Sequence, residues 1–439
     1  MQDFKKFFKN KRVTVVGLGL LGKRLGDIAF LAEHGAKVLV TDFKSAKELA
    51  PSIKKLKKYK GIKYILGKHR KQDFKNKDFI LKGQGVALDS PYIAYAREKG
   101  VPIEMDEALF AKLAPKVKII GVTGTRGKST TTILIYEILG SAGLPVHLGG
   151  NIRGTAALPL LQKVKKGDLV VFELSFWQLQ GFAEAKISPH ISVFTNFMPD
   201  HMNYYQNNPR LYFNDKSFIY KFQKKRDVLI LGPKMKSLLK NTKGKVIHAN
   251  IKNIPKSWHI NLAGRHNLEN IACAVEVAKV LKVPEKIIKN VVENFKAIPG
   301  RLELVKNIHG VQIYNDTNSC TPEATSVALE TLGRGGNIIL IVGGSDKNLE
   351  FKNLVKDINK YVKAMVLIPG NGTERLIKNY KLKIKSETGK DLKDVVQRAM
   401  KYARSGDVIL FSPAFTSFGM FNNEYDRGDK FLKIVKQLK

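Results

Sequence analysis

Short apolar runs that stop at glycine or at polar residues recur along this chain, and apolar positions between them fall at helical spacing. The first run, Val13-Thr-Val-Val16, leads into Gly17-Leu-Gly-Leu-Leu-Gly22, a helical stretch and a second run, Lys37-Val-Leu-Val-Thr-Asp42. Further runs are Val117-Lys-Ile-Ile120, Leu169-Val-Val-Phe172, Ile191-Ser-Val-Phe194, Val311-Gln-Ile-Tyr314, Asn337-Ile-Ile-Leu-Ile-Val342 and Asp407-Val-Ile-Leu-Phe411. Runs apolar at nearly every position predict strands covered on both faces. From His266 to Leu281, the residues Leu268, Ile271, Val275 and Ala278 fall on one side of a predicted helix. Strands alternating with helices predict an α/β fold with parallel sheets. Pro102, Pro115 and Pro299-Gly300 punctuate the pattern. A length of 439 residues suits about three domains, with expected divisions at 1–105, 106–299 and 300–439.

Apolar content of 44% and charged content of 26% are those of an ordinary globular protein, but the net charge of +38 is not. A field of that sign favours nucleic acid, acidic membranes or small polyanions such as nucleotides. The lysines are spread, as in Lys54-Lys-Leu-Lys-Lys58 and Lys224-Lys-Arg226, without an aromatic-interleaved block. They read as solvated surface, and no specific nucleic-acid partner is expected. Cys273 and Cys320 are too few for a disulfide framework and suit a reducing compartment. Lys23-Arg24 interrupts the first apolar stretch and no run is long enough to span a bilayer, so a cytoplasmic protein without membrane insertion is expected.

Two strand ends carry recognisable chemistry. Gly17 to Gly22 is a βαβ nucleotide signature: its glycines permit a tight turn beside a helix N-terminus, and Asp42 stands twenty positions after Gly22. Alone, it suggests a dinucleotide-binding dehydrogenase. The second is Gly121-Val-Thr-Gly-Thr-Arg-Gly-Lys-Ser-Thr-Thr-Thr132. Five residues separate Gly121 from Gly127 and two separate Gly124 from Gly127, so this is a variant phosphate loop rather than a strict Walker A sequence. Backbone amides would cradle a phosphate while Lys128 and Ser129 reach its terminal oxygens and Mg²⁺. Glu173 and the His201 of Pro199-Asp-His201 also end strand patterns and are candidates beside a cation. Taken singly, Glu173 has a lesser alternative as a helix-starting carboxylate, and a lone His201 reads first as a hydrogen-bonded loop histidine.

Together these blocks resemble the Mur ligase superfamily, ATP-dependent amide-forming enzymes of peptidoglycan precursor assembly, over nearly the whole chain and in the same order. The matching blocks are Gly124-Thr-Arg-Gly-Lys-Ser129, Gly149-Gly-Asn-Ile152, Glu173-Leu-Ser-Phe-Trp-Gln178, Asn196-Phe-Met-Pro-Asp-His201 and Gly264-Arg-His-Asn-Leu-Glu-Asn270. They continue in Pro299-Gly-Arg301, Asn315-Asp316, Gly343-Gly-Ser-Asp-Lys347 and Ser412-Pro-Ala-Phe-Thr-Ser-Phe418, with Arg427-Gly428 beyond. The combination is most similar to the branch that adds D-glutamate to UDP-N-acetylmuramoyl-L-alanine.

The resemblance implies an N-terminal Rossmann-like domain holding the UDP portion of the substrate through Gly19, Leu20, Leu21 and Asp42, with Asn151 from the next domain. It implies a central P-loop ATPase-like domain in which Gly124, Thr125, Arg126, Gly127, Lys128, Ser129, Thr130, Asn267 and Asn270 bind ATP, joined by Arg301 and Asp316. A C-terminal Rossmann-like domain would bind glutamate through Thr321, Lys347, Ser417 and Phe418. Two Mg²⁺ ions are implied, on Ser129, Glu173 and His201. Lys216, in Tyr212-Phe-Asn-Asp-Lys216, matches a lysine that the family carbamylates, and Lys128, Glu173, His201 and Lys216 form the implied catalytic set. ATP would convert a carboxylate to an acyl phosphate, which an amine then attacks, in a monomeric enzyme.

Departures accompany the match. Arg126 replaces the usual Asn, Asn318 replaces a lysine, Gly83-Gln-Gly85 replaces a Ser-Pro-Gly turn, and Glu424 replaces an aromatic that lines the amino-acid pocket. They leave L-glutamate or another amino acid as an alternative. A folylpolyglutamate-synthase-like ligase, a basic nucleic-acid-stimulated NTPase and an NAD-dependent oxidoreductase are the rival readings. The first would lack a separate Gly17 to Gly22 domain.

Overall fold

A computed structural model of the chain describes residues 3–19, 22–235, 242–417 and 419–438. The candidate ligands Leu20, Leu21 and Phe418 lie outside the described residues.

The fold is α/β with three sheet-containing domains. The first sheet comprises β1 (Arg12–Val16), β2 (Lys37–Asp42), β3 (Ile62–Leu66), β4 (Phe79–Lys82) and β5 (Ile103–Glu104) in the order β3-β2-β1-β4-β5. The second comprises β6 (Lys118–Thr123), β7 (Val146–Gly150), β8 (Leu169–Glu173), β9 (Ile191–Phe194), β10 (Val228–Leu231) and β11 (Lys245–His248), ordered β11-β10-β9-β6-β8-β7. The third comprises β12 (Glu303–Ile308), β13 (Val311–Asn315), β14 (Ile338–Gly343), β15 (Val362–Ile368), β16 (Lys385–Thr388) and β17 (Val408–Phe411), ordered β12-β13-β17-β14-β15-β16.

Every pairing in the first two sheets is parallel. The third corrects the expectation of parallel sheets throughout, because β12 runs antiparallel to β13. Its cause is local: His309 and Gly310 both have positive φ, 47° and 82°, and form a two-residue turn whose twist folds one strand back on the other.

The chain divides into two compact units, residues 1–259 with 266–293, and residues 260–265 with 294–439. In the first unit one apolar cluster runs from Val15, Leu31 and Val40 of the first sheet's domain to Phe110, Leu158 and Phe172 of the second's. A buried charged seam crosses the same boundary. Lys23 reaches Glu107 and, at 3.4 Å, Asp106, while Asp27 Oδ1 accepts from Leu158 N at 3.0 Å. In the second unit separate apolar layers cover the two faces of the third sheet, one around Ile339, Val366 and Phe431, the other around Leu340, Leu354 and Leu410. Among the described residues no helix is long and apolar enough to cross a membrane.

Candidate active site

Polar side chains collect beyond the carboxyl ends of the parallel strands, where open α/β sheets bind ligands. At the end of β6 the chain turns through Gly124 and Gly127 into the helix Lys128–Ser141. Gly124 allows close packing, since a Cβ there would sit 1.9 Å from Thr195 Oγ1. Loop 124–127 is pinned by the segment after β9: Thr125 N donates to Asn196 O (3.0 Å), Arg126 N to Asn196 Oδ1 (2.9 Å), and Thr195 Oγ1 to Arg126 O (2.6 Å). Lys128 folds over the loop, with Nζ donating to Gly124 O and Thr125 O, both at 3.1 Å. The N-cap of the helix is Gly127, which has no side chain to occupy the first turn's amides.

Arg126, a candidate ATP ligand, has its guanidinium paired with Asp200 Oδ2 at 2.8 Å. Asp200 also accepts from His201 N (2.8 Å), and His201 holds a left-handed backbone, φ 56°, with its ring 4.9 Å from that of Phe176. Glu173 ends β8. Its Oε1 accepts from Asn151 Nδ2 at 3.0 Å, while its Oε2 is buried with no hydrogen-bond partner. Asn151 is thus brought against Glu173. An unpaired buried carboxylate oxygen at the end of β8, beside the β6 strand, suits a hard divalent cation. Among the described residues no group of three His, Cys, Asp or Glu could hold a metal by itself, so a cation there would rest on Glu173, Ser129 and nucleotide phosphates.

Lys216 lies on the helix Pro209–Ser217, which starts at the Asn208 cap and Pro209. Its amine is buried, donates to Gly124 O at 2.8 Å and lies 4.8 Å from the Tyr212 ring centroid. Burial, then repulsion from Lys128, holds its pKa well below the usual lysine value.

The helix Arg265–Val280 completes this side, matching the predicted 266–281. Asn270 Nδ2 donates to Asn267 Oδ1 at 3.2 Å. Gly127 has φ 78°, and a Cβ on it would lie 2.0 Å from Asn270 Oδ1. Gly127→Ala is expected to weaken ATP binding about 10- to 100-fold by calorimetric titration, because backbone strain and the Asn270 clash act on the same loop. Unchanged affinity would remove that contact from the site.

In the first sheet's domain, Asp42 serves the glycine loop itself: Oδ2 accepts from Leu18 N at 2.8 Å and faces Gly19 N at 3.5 Å.

The second unit gathers three loops past the adjacent strands β13, β17 and β14. Ser345 and Thr416 exchange backbone hydrogen bonds of 3.1 and 3.2 Å, and Ala414 N donates to Ser319 O at 2.9 Å. Ser417 is buried and Lys347 is exposed. Thr321 is the N-cap of the helix Pro322–Leu332, accepting from Ala324 N at 3.4 Å. Asn318 N donates to Gly300 O at 3.0 Å, tying this block to the Pro299-Gly300-Arg301 turn. Arg427, absent from the predicted set, is fully buried and knits these loops, contacting Thr317 O (2.7 Å), Phe415 O (3.1 Å) and Cys320 Sγ (3.2 Å). Only its place in a matched block signalled it.

Three family models match in order: Mur ligase MurD-like, N-terminal domain at 11–104, Mur ligase middle domain at 122–254, and Mur ligase, glutamate ligase domain at 300–415. A UDP-N-acetylmuramoylalanine–D-glutamate ligase of Borreliella afzelii is 37% identical over 98% of this chain and 98% of its own. The chain belongs to the Mur ligase family. Another relative with the same name, from Roseiflexus sp., is 34% identical to this Mur ligase, over 97% of this chain and 98% of its own. Solved structures share the fold: a UDP-N-acetylmuramate-alanine ligase from Thermotoga maritima has TM-score 0.64 and 17% identity, covering 98% and 100% of the two chains. A MurF ligase from the same organism, in complex with ADP, has TM-score 0.61 and 18% identity, covering 99% and 98%.

In the second unit of this Mur ligase, Asp316 is buried. Leu302 N (3.0 Å) and Ser412 Oγ (2.8 Å) donate to it, yet burial pushes its pKa up to about 6. A carboxyl with a raised folded pKa stabilises the fold while protonated, and that contribution is lost as pH rises from about 4 through 6, at most roughly 3 kcal/mol. The Tm advantage of Asp316→Asn over the native chain should therefore grow between pH 4 and 6.5 and stay level above. Scanning calorimetry showing a pH-independent difference would contradict this.

Proposed function

We propose that this Mur ligase joins the carboxylate of UDP-N-acetylmuramoyl-L-alanine to the amine of D-glutamate, converting ATP to ADP and phosphate through an acyl phosphate. The carrying observation is the end-to-end match, at 37% identity, to a relative named for that reaction. The geometry around Gly124 supports the chemistry. Phosphoryl transfer between anions needs positioning and charge neutralisation more than covalent help. Lys128 is assigned to the β- and γ-phosphates, and Asn267 and Asn270 to the base. Mg²⁺, when bound, neutralises charge on the transferring group; Glu173 and Ser129 would hold one ion, and His201 would serve a second.

Lys216 is read as a carbamate: its neutral amine adds to CO₂, forming an N–C bond and releasing a proton, which turns a buried cation site into an anionic one. Thr321, Lys347 and Ser417 are assigned to the carboxylates of glutamate, where a cation and hydroxyl donors suit a diacid. Gly19, Asp42 and Asn151 are assigned to the UDP portion, and Arg301 and Asp316 to the nucleotide. The reading includes domain divisions near 105 and 299 and a monomeric cytoplasmic enzyme.

The test is ADP release by the purified chain with ATP, Mg²⁺ and UDP-N-acetylmuramoyl-L-alanine against a panel of amino acids including both glutamate enantiomers. Release that needs both D-glutamate and the UDP substrate supports the proposal. Dependence on another amino acid moves the specificity change to the third-domain loops, and release driven by nucleic acid instead overturns it.

A further inference from the structure

We propose that Lys82 is a positioning residue for the uridine-bearing substrate, acting through the turn Gly83 to Val86; this rests on the first domain being the UDP-substrate domain. In the first sheet the chain leaves β1 toward β2 and β3 on one side and reaches β4 and β5 on the other. The ligand crevice of such a sheet lies at that switch point, between the carboxyl ends of β1 and β4. One wall is the glycine loop after β1 and the other is the turn after β4. The walls touch: Gly83 N donates to Val16 O at 3.0 Å, and a Cβ on Gly17 would lie 4.0 Å from Val86 Cγ2.

The turn has type II character, with Val86 N donating to Gly83 O (3.4 Å) and Gly85 at φ 79° in its third position. The second position of such a turn favours proline, whose ring presets φ, but Gln84 occupies it here. Lys82 supplies the missing restraint. Its side chain is fully buried, and Nζ donates to the first and last carbonyls of the turn, Gly83 O at 3.4 Å and Val86 O at 2.6 Å. Arg24, on the helix that follows the glycine loop, donates to Lys82 O at 3.0 Å, and the Trp177 ring lies 5.2 Å from Nζ. The clasp is therefore set jointly by both walls of the crevice and by the second sheet's domain. An amine can donate to both carbonyls whether or not it is charged, so the clasp persists although burial and the nearby Arg24 lower the Lys82 pKa to about 7. The turn also keeps a buried donor, Gln84 Nε2, that no protein acceptor uses.

The experiment measures binding of UDP and of UDP-N-acetylmuramoyl-L-alanine to the full-length chain by calorimetric titration, with ATP as the control ligand, alongside KM and kcat for ADP release. Lys82→Met should weaken both uridine ligands and raise the KM for the UDP substrate by about tenfold, leaving kcat and ATP affinity within about twofold. Adding Gln84→Pro to Lys82→Met should restore most of the loss, because proline presets the same turn. Native affinity in Lys82→Met, a loss that Gln84→Pro does not relieve, or a loss shared with ATP overturns the proposal. Should Lys82→Met not fold, Gln84→Pro in the native chain decides: a turn already clasped gains less than about twofold in uridine affinity, and a severalfold gain overturns the clasp. A native chain that binds neither uridine ligand refutes the assignment of the first domain, and the proposal falls with it; native binding with an unaffected Lys82→Met refutes the role of Lys82 alone.

Discussion

Lys128→Ala is expected to lower ADP release by roughly a thousandfold, while the affinity for UDP-N-acetylmuramoyl-L-alanine stays within about twofold. The ammonium lies on the carbonyls of Gly124 and Thr125, 3.1 Å from each, at the mouth of the helix Lys128–Ser141. A γ-phosphoryl group entering this loop would take over those N–H donors, and charge building on its oxygens would meet a cation already in place. Alanine leaves the helix N-terminus but removes the only flexible charge that the loop itself carries beyond Arg126, whose guanidinium is paired with Asp200. Retention of more than about a tenth of native turnover would mean that phosphoryl transfer occurs elsewhere.

The second large effect concerns Lys216. A chain depleted of CO₂ should release ADP slowly and recover with added bicarbonate, because the reacting species is the neutral amine. Burial beside Lys128 favours that neutral form. Lys216→Ala should be about 100-fold slower and indifferent to bicarbonate. ¹³C-bicarbonate should give a carbamate resonance in the native chain and none in the variant. A fully active Lys216→Ala enzyme, or native activity that ignores CO₂, would refute the carbamate.

At Gly127 and Lys82 the fold decides what a local pattern cannot. The glycine spacing after β6 points to a loop of phosphate-binding type, but not to what packs against it. Only the fold sets Asn270, 143 positions away, where a Cβ on Gly127 would lie 2.0 Å from its Oδ1. Lys82 sits among dozens of lysines in a chain of net charge +38, and nothing in its local pattern separates it from solvated ones.

By itself the sequence determined the α/β class, the strands that are apolar throughout, the two glycine loops and the order of blocks that marks a Mur ligase, because each is a local pattern with a local physical cause. Less regular strands such as β7, Val146-His-Leu-Gly-Gly150, escaped it, since histidine and glycines interrupt the apolar run. The antiparallel β12 escaped as well, because its direction depends on two positive φ angles rather than on hydrophobicity. Tertiary structure alone decided which polar groups are partnered: Arg126 to Asp200, Asn151 to Glu173, Asp42 to the glycine loop after β1, and Lys216 to Gly124 O. Burial and hydrogen bonding are properties of what surrounds a side chain, and in a parallel sheet those surroundings come from strands far apart in the chain.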